Sequence, residues 1–346
     1  MKTKALVALG FLAIISWSSY ARAWNGVGHE VIASLAWDGM SAEDRKTATA
    51  ILKDHPFYKE DFESAVPAGA TVEEHDRLVF MKAATWPDMI KSRVAHPKEA
   101  RDDHRNWHYI DYPIDLGGAE ALPPEPSATM PATAPTMATD TMPATAPATT
   151  ASTTLAALPV GPKNLLQALE KCRKDLADTS DDLKVRQNRA KALCWILHLI
   201  GDMHQPLHSV SGYSLAFPEG DSGGNGIKVP GTSGATNLHA LWDDMLGKNE
   251  DPAALKIIAD KIKEDPANTP TEAEAKATAL KEWVLESKAI AEAFVYGPLK
   301  KLPDAKNATH MDVDEDYLVA ARKIARHRAE VAGRRLAEFL HKSFNP

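Results

Sequence analysis

The chain has 346 residues, 44% of them hydrophobic and 25% charged, with a formal charge of −7. This composition excludes a disordered polymer and allows one large globular domain or two small ones. The acidity excludes a general nucleic-acid binder, because phosphate affinity ordinarily comes from Lys and Arg.

In chain order, the first 23 residues stand apart. Lys2 and Lys4 precede an apolar run from Ala5 through Trp17, and Ala21-Arg22-Ala23 supplies a small-x-small cleavage site. That pattern predicts a secretory signal peptide over 1–23, cleaved after Ala23, and a secreted or periplasmic product. The run is too short for a transmembrane helix, and no later segment has 18 apolar residues in a row, so no membrane anchor is predicted. Loss of Lys2, Lys4 and Arg22 takes the formal charge from −7 to −10. Phosphate recognition must then be local, and bound divalent cations could reverse the field inside one cleft.

The remainder, 24–346, reads as one all-α domain. Helical periodicity predicts helices over 27–37, 42–52 (with Ser41 as N-cap), 75–90 (interrupted near Pro87), 163–176 and 183–203. Further helices are expected over 238–246, 252–262, 272–294 and 314–344. The Lys and Arg of 320–342 read as a solvated helix face. Only 213–230, rich in Gly and Asp, looks like a hairpin or an irregular loop. A Pro/Ala/Thr-rich stretch at about 119–160 repeats TMPATAPT (129–136) as TMPATAPA (141–148). It lacks the apolar surface to offset ordering entropy, and reads as a disordered surface insertion. Cys172 and Cys194 both fall in helical sequence, and export makes a disulfide possible. Sequence does not settle it, since the Cα separation is not known.

Chemistry concentrates in five motifs: WNGVGH (24–29), WPD (86–88), WHYID (107–111), HLIGDMHQPLH (198–208) and NLHALWD (237–243). His198 and Asp202 are four apart, as are His239 and Asp243. On a helix that spacing stacks an imidazole and a carboxylate on one face, which is half a metal site. Two such halves, with His208 beside them, suggest several ions. The other histidines, His55, His75, His96, His104, His204, His310, His327 and His341, have no ligand partners at useful spacing. His204 is at best behind the ligands, because Pro206 ends the helix.

This series of motifs, in this order over nearly the whole mature chain, resembles the S1/P1 nuclease family. The resemblance implies a mainly helical fold and three zinc ions. Asp88, His108, His198 and Asp202 would hold the first ion, and His208, His239 and Asp243 the second. The third would take the α-amino nitrogen and carbonyl oxygen of Trp24, with His29 and a shared Asp202. Imidazole and carboxylate suit zinc, and paired ions about 3.5–4 Å apart suit phosphodiester hydrolysis. An amine ligand must lose its proton, so removal of the signal peptide is part of making the site.

The resemblance also implies single-stranded DNA and RNA as substrates, 5′-phosphorylated products and 3′-nucleotidase activity, in a protein read as a monomer. It makes Asp111 an acid–base group, against the plainer reading of a turn carboxylate. Tyr109 becomes a nucleobase-stacking ring, against a core aromatic. Asn225, in a GGN loop, either holds that loop or touches substrate. Lys91 stands where the family usually has Arg at the scissile phosphate, and a lysine cannot form the bidentate fork. Two rivals are weighed. A zinc-dependent phospholipase C shares the fold, but has a longer gap from the N-terminal Trp to the first His, and Glu as last ligand where this chain has Asp243. A zinc-binding protein without turnover is the other.

Overall fold

Asn25 starts the first helix by accepting the Gly28 N–H on its side chain, and most of the described residues are helical. The computed structural model describes residues 24–92, 94–119, 121–129, 161–232 and 234–346. The predicted signal peptide and residues 130–160 of the predicted insertion lie outside these.

The helices are α1 (Gly26–Gly39), α2 (Ala42–Leu52), α3 (Val72–Ala83), α4 (Trp86–Met89), α5 (Leu165–Ala177), α6 (Leu183–Asp202), α7 (Leu238–Asp243), α8 (Pro252–Glu264), α9 (Glu272–Lys276), α10 (Leu280–Ile290), α11 (Gly297–Lys300) and α12 (Glu315–Phe344). Ser41 caps α2 as predicted, accepting from the Asp44 N–H. The helix expected over 75–90 divides into α3 and α4, with Pro87 in the first turn of α4, where its missing N–H costs nothing. The helix expected over 272–294 also divides, into α9, α10 and a π-helical turn, Ala291–Val295. Glu274 and Glu282 each reach back to the backbone three residues earlier, and so restart the helix.

Among the described residues, strand content is one two-stranded sheet, β1 (Tyr112–Gly117) and β2 (Val210–Ser214). The pair is parallel, with Tyr112 opposite Val210. The 213–230 segment is therefore irregular and forms no hairpin: the partner of its first residues lies about a hundred positions earlier, beyond the reach of local pattern reading.

α1 sits at the centre, with every residue from Val27 to Trp37 buried. α12, α8, α3 and α6 pack around it. Its one polar row, Glu30, Ser34 and Asp38, faces α3, where Lys82 and Arg77 pair with it. The long α12 comes closest. A Cβ on Gly333 would lie 2.6 Å from Leu35 Cβ and 3.3 Å from the α1 backbone, so this crossing requires glycine. α5 and α6 form the second pair, with Cys172 and Cys194 buried on them as free thiols. Residues 121–129, assigned to the insertion from sequence, dock onto the start of α5: Gln167 Nε2 donates to the carbonyls of Ser127 and Thr129.

The solvated face expected for 320–342 is corrected at two positions. Arg328 is 0% exposed and Arg335 is also buried. Arg335 makes a bidentate pair with Glu286, both bonds at 2.7 Å, and Arg328 meets the same carboxylate at 2.9 Å. Arg335 also donates to His204 Nε2 at 3.0 Å, which places His204 in this ionic network and away from the metal motifs. Among the described residues no helix is long and apolar enough to cross a membrane.

Gly333→Ala tests the α1–α12 crossing. Alanine is the better helix former by about 1 kcal/mol, yet overpacking at such a contact costs about 1–3 kcal/mol. The expected net result is a lower urea midpoint with an unchanged m-value.

Candidate metal centre and substrate cleft

The central helices carry the chemistry. His29 lies in the first turn of α1, and His198 and Asp202 lie one turn apart near the end of α6. α4 brings Asp88, and α7 brings His239 and Asp243. His108 follows a 3₁₀ turn, and His208 sits within another, Pro206–Ser209. Pro206 and the end of α6 at Asp202 agree with the sequence reading.

These residues form three groups: His29, Asp88 and His198; His108, His198 and Asp202; His208, His239 and Asp243. In the first two, His198 Nε2 stands 3.6 Å from Asp88 Oδ1 and 3.4 Å from Asp202 Oδ2. His108 Nδ1 lies 3.1 Å from Asp202 Oδ2, and His29 Nε2 lies 3.4 Å from Asp202 Oδ1. Asp202 thus turns one oxygen to His29 and the other to His108 and His198, as a shared ligand must. In the third group, His239 Nε2 is 3.0 Å from His208 Nε2 and 3.7 Å from Asp243 Oδ2. Ligands about 2.0–2.2 Å from a tetrahedral zinc stand roughly 3.4 Å apart, so the spacing fits.

The donor orientation fits as well. His198 Nδ1 donates to the Ala84 carbonyl at 2.8 Å, His208 Nδ1 to that of His108 at 2.7 Å, and His239 Nδ1 to that of Gly223 at 2.6 Å. Each bond leaves Nε2 as the lone-pair nitrogen facing the group, the usual arrangement behind a ligating histidine. Gln205 Nε2 holds Asp243 Oδ1 at 2.7 Å. Both ring nitrogens of His29, His108 Nε2 and Asp202 Oδ1 are buried without a hydrogen-bond partner. Such atoms cost about 1–3 kcal/mol each when nothing binds them. The residues present therefore fit metal ions.

Electrostatics point the same way. Burial drives His29 and His108 well below the ordinary imidazole value, and takes His198 down to about 4 against the pull of Asp88. All are neutral at pH 7, the form that ligates. Burial lifts Asp202 and Asp243 well above the carboxylate range. For Asp88 burial acts upward too, but Lys91, His198 and His29 together outweigh it and hold the carboxyl low.

Trp24 is fully buried, its indole N–H donating to the Gly201 carbonyl at 3.1 Å. The Asn25 N–H bonds the Asp243 carbonyl at 3.2 Å, which sets the Trp24 main chain beside the cluster. A Cβ on Gly201 would lie 2.8 Å from His29 Nδ1. Glycine at this position of α6 lets α1 bring its imidazole to Asp202.

Above the cluster a cleft of about 280 Å³ is lined by Lys91, Tyr109, Asp111, Asn225, His108, His208 and His239, among others. Within the WHYID motif Trp107, His108 and Ile110 are buried, while Tyr109 and Asp111 face the cleft. Tyr109 is 39% exposed, which excludes the core-aromatic reading. Desolvation in the cleft, with the charge of Asp221, raises the Asp111 carboxyl to about 6. Lys91 Nζ lies 2.6 Å from Asp88 Oδ1 at the cleft wall. Asn225 Nδ2 donates to the Ser222 carbonyl at 2.8 Å and so holds its own loop. In that loop Gly223 has φ +62° and approaches the Leu207 carbonyl too closely for a Cβ, which brings its own carbonyl to His239.

Sequence reasoning brought together all eight His and Asp ligand candidates. It missed Gln205, although Gln205 lies inside a quoted motif, and it missed Arg105, Tyr213 and Glu219 of the cleft wall, which carry no spacing signal. It also passed over His96, which the fold sets beside Asp61 and Glu99.

Fold and site together define a mainly helical protein with a buried imidazole–carboxylate cluster of metal-binding type at the floor of a cleft. The S1/P1 Nuclease family model matches residues 24–345, and the chain belongs to that family. It is similar to Endonuclease 3 of Arabidopsis thaliana, 44% identical over 73 residues (20% of this chain and 22% of that protein). It is likewise similar to Nuclease S1 of Aspergillus oryzae, 44% identical over 52 residues (15% of each chain). A longer match, to Endonuclease 2 of Arabidopsis thaliana, is 31% identical over 175 residues (48% and 56%). The chain thus spans about a fifth of the length of the first of these relatives, and little more than half of the last.

Gln205→Leu removes the donor behind Asp243 without touching a ligand candidate. Metal affinity at the His208–His239–Asp243 group is expected to fall about 10–100-fold, measured by competition with a chromophoric chelator.

Proposed function

We propose that this chain is an exported zinc-dependent endonuclease that hydrolyses phosphodiester bonds of single-stranded DNA and RNA. Its products carry 5′-phosphates, and it also acts as a 3′-nucleotidase. One observation carries the reading: three His/Asp groups lie at the floor of a cleft whose wall presents Tyr109 and Asp111.

Asp88, His108, His198 and Asp202 would hold one zinc, and His208, His239 and Asp243 a second. His29 and Asp202, with the amine and carbonyl of Trp24, would hold the third. Zinc, when bound, polarises phosphoryl oxygen and lowers the pKa of water toward neutrality. The chain's own residues do the remainder. Asp111, ionised above pH about 6, accepts a proton from water entering the cleft, and can return it to the leaving oxygen. Tyr109 offers a ring face on which an unpaired base stacks, which favours single strands over duplex. Lys91 neutralises phosphate as a point charge, shared with Asp88. Asn225 keeps the glycine loop in shape behind His239. Export would follow from residues 1–23, and cleavage after Ala23 would free the Trp24 amine. The mature chain is proposed to act as a monomer.

The deciding assay uses mature protein beginning at Trp24, loaded with zinc, on denatured DNA. Cleavage to 5′-phosphorylated fragments, abolished by a chelator and restored by zinc, is expected. Hydrolysis of phosphatidylcholine in place of DNA, or no turnover from acid to neutral pH, overturns the reading.

Asp111→Asn is expected to lower kcat about 10²–10⁴-fold with metal content unchanged. The base form of Asp111 grows as pH rises through about 6, so wild-type kcat should climb across that range. A pH profile of the variant should lack this limb. One extra residue before Trp24 converts the amine to an amide, and elemental analysis should then find one zinc fewer.

A further inference from the structure

A second cluster of metal-ligating side chains lies outside the cleft. Asp61 sits in the π-helical turn Tyr58–Phe62 that follows α2, and His96 and Glu99 come from the segment between α4 and the 3₁₀ turn before His108. Their ligand atoms all fall within 4.8 Å of one another. His96 Nδ1 is 3.1 Å from Glu99 Oε2 and 3.9 Å from Asp61 Oδ1. Asp61 is 8% exposed and Glu99 4%. Asp61 Oδ2 is buried and meets no hydrogen-bond donor.

Two carboxylates withdrawn from water side by side cannot both ionise unless something positive joins them. Burial and the neighbouring charge of Glu99 raise the Asp61 carboxyl to about 6, with His96 acting in the opposite sense. A divalent cation removes both difficulties: it neutralises the pair and gives the orphan oxygen a partner. One imidazole nitrogen with two carboxylate oxygens is a donor set for zinc or manganese. His96 is only partly buried, so water can complete the coordination on that side.

We propose that Asp61, His96 and Glu99 form a further divalent-cation site of the zinc class, separate from the cluster beneath the cleft. Its consequence is mechanical. The segment from Asp88 to His108 joins two of the cleft's ligand candidates and carries Lys91 and Arg105, both on the cleft wall. A cation at His96 and Glu99 ties the middle of this segment to the turn after α2, which shortens the free loop and reduces its conformational entropy. The site does not depend on which reaction the cleft performs.

The test compares mature wild-type protein with Glu99→Gln and His96→Gln after equilibrium dialysis against zinc. One zinc equivalent fewer is expected in each variant, with hydrolysis of denatured DNA retained. Wild-type Tm should keep rising with zinc after the cleft cluster is filled, and the variants should not follow. Crystals of wild type soaked in zinc should show anomalous scattering at Asp61. Equal zinc content in folded wild type and variants, with no anomalous peak, overturns the proposal and leaves a carboxyl pair sharing a proton. Then Glu99→Gln would raise Tm at neutral pH regardless of metal. The zinc count stands apart from the DNA assay, so failure of this site and failure of the nuclease reading give different results.

Discussion

Asp202 lies fully buried at the C-terminal end of α6, where α1 packs against it, and three imidazoles surround it. An isolated carboxylate in that position would cost several kcal/mol of desolvation. Its neighbours cannot relieve it by ionising, because burial keeps His29, His108 and His198 neutral. His198 spends its one N–H on the Ala84 carbonyl, so its Nε2 turns a lone pair toward Asp202, and a carboxylate has only lone pairs as well. What completes such a group is a cation. The central packing of the protein and its candidate metal groups are therefore one arrangement, since α1 and α6 cannot approach without bringing these groups together.

The glycines follow from that approach. Gly201 admits the His29 ring against α6, and Gly333 lets α12 close against Leu35 and Ala36 of α1. Further from the centre, α12 contributes a second buried set of charges. Here the positive groups are supplied by the chain: Arg328 and Arg335 converge on Glu286, with His204 accepting from Arg335. That set carries its own charges of both signs, Arg328 and Arg335 against Glu286 and Glu274, whereas the imidazole–carboxylate groups balance only with something added. The contrast separates a structural ion cluster from a binding one without recourse to motif.

Much of the candidate site was legible because helical spacing is local. His198 and Asp202, or His239 and Asp243, must share a face once the segment is a helix. Pro206 likewise marks where α6 stops. The burial of Arg328 and Arg335 was not legible. Their stretch of α12 reads as an ordinary charged face, and only the position of Glu286 on another helix makes burial tolerable. The parallel pairing of β1 with β2 was equally hidden, as parallel strands leave no turn signal between them.

From its residues alone, this chain determined most of its helices, the Ser41 cap and the break near Pro87, the family it belongs to and which imidazoles pair with which carboxylates along each helix. These follow from periods of a few residues, which the order of amino acids carries directly. Tertiary structure decided which half-sites meet, that Asp202 faces two groups at once, that Gln205 orients Asp243, and that Asp61 joins His96 and Glu99. Such contacts bring together residues far apart along the chain, and only the packing of the helices around α1 determines the distances between them.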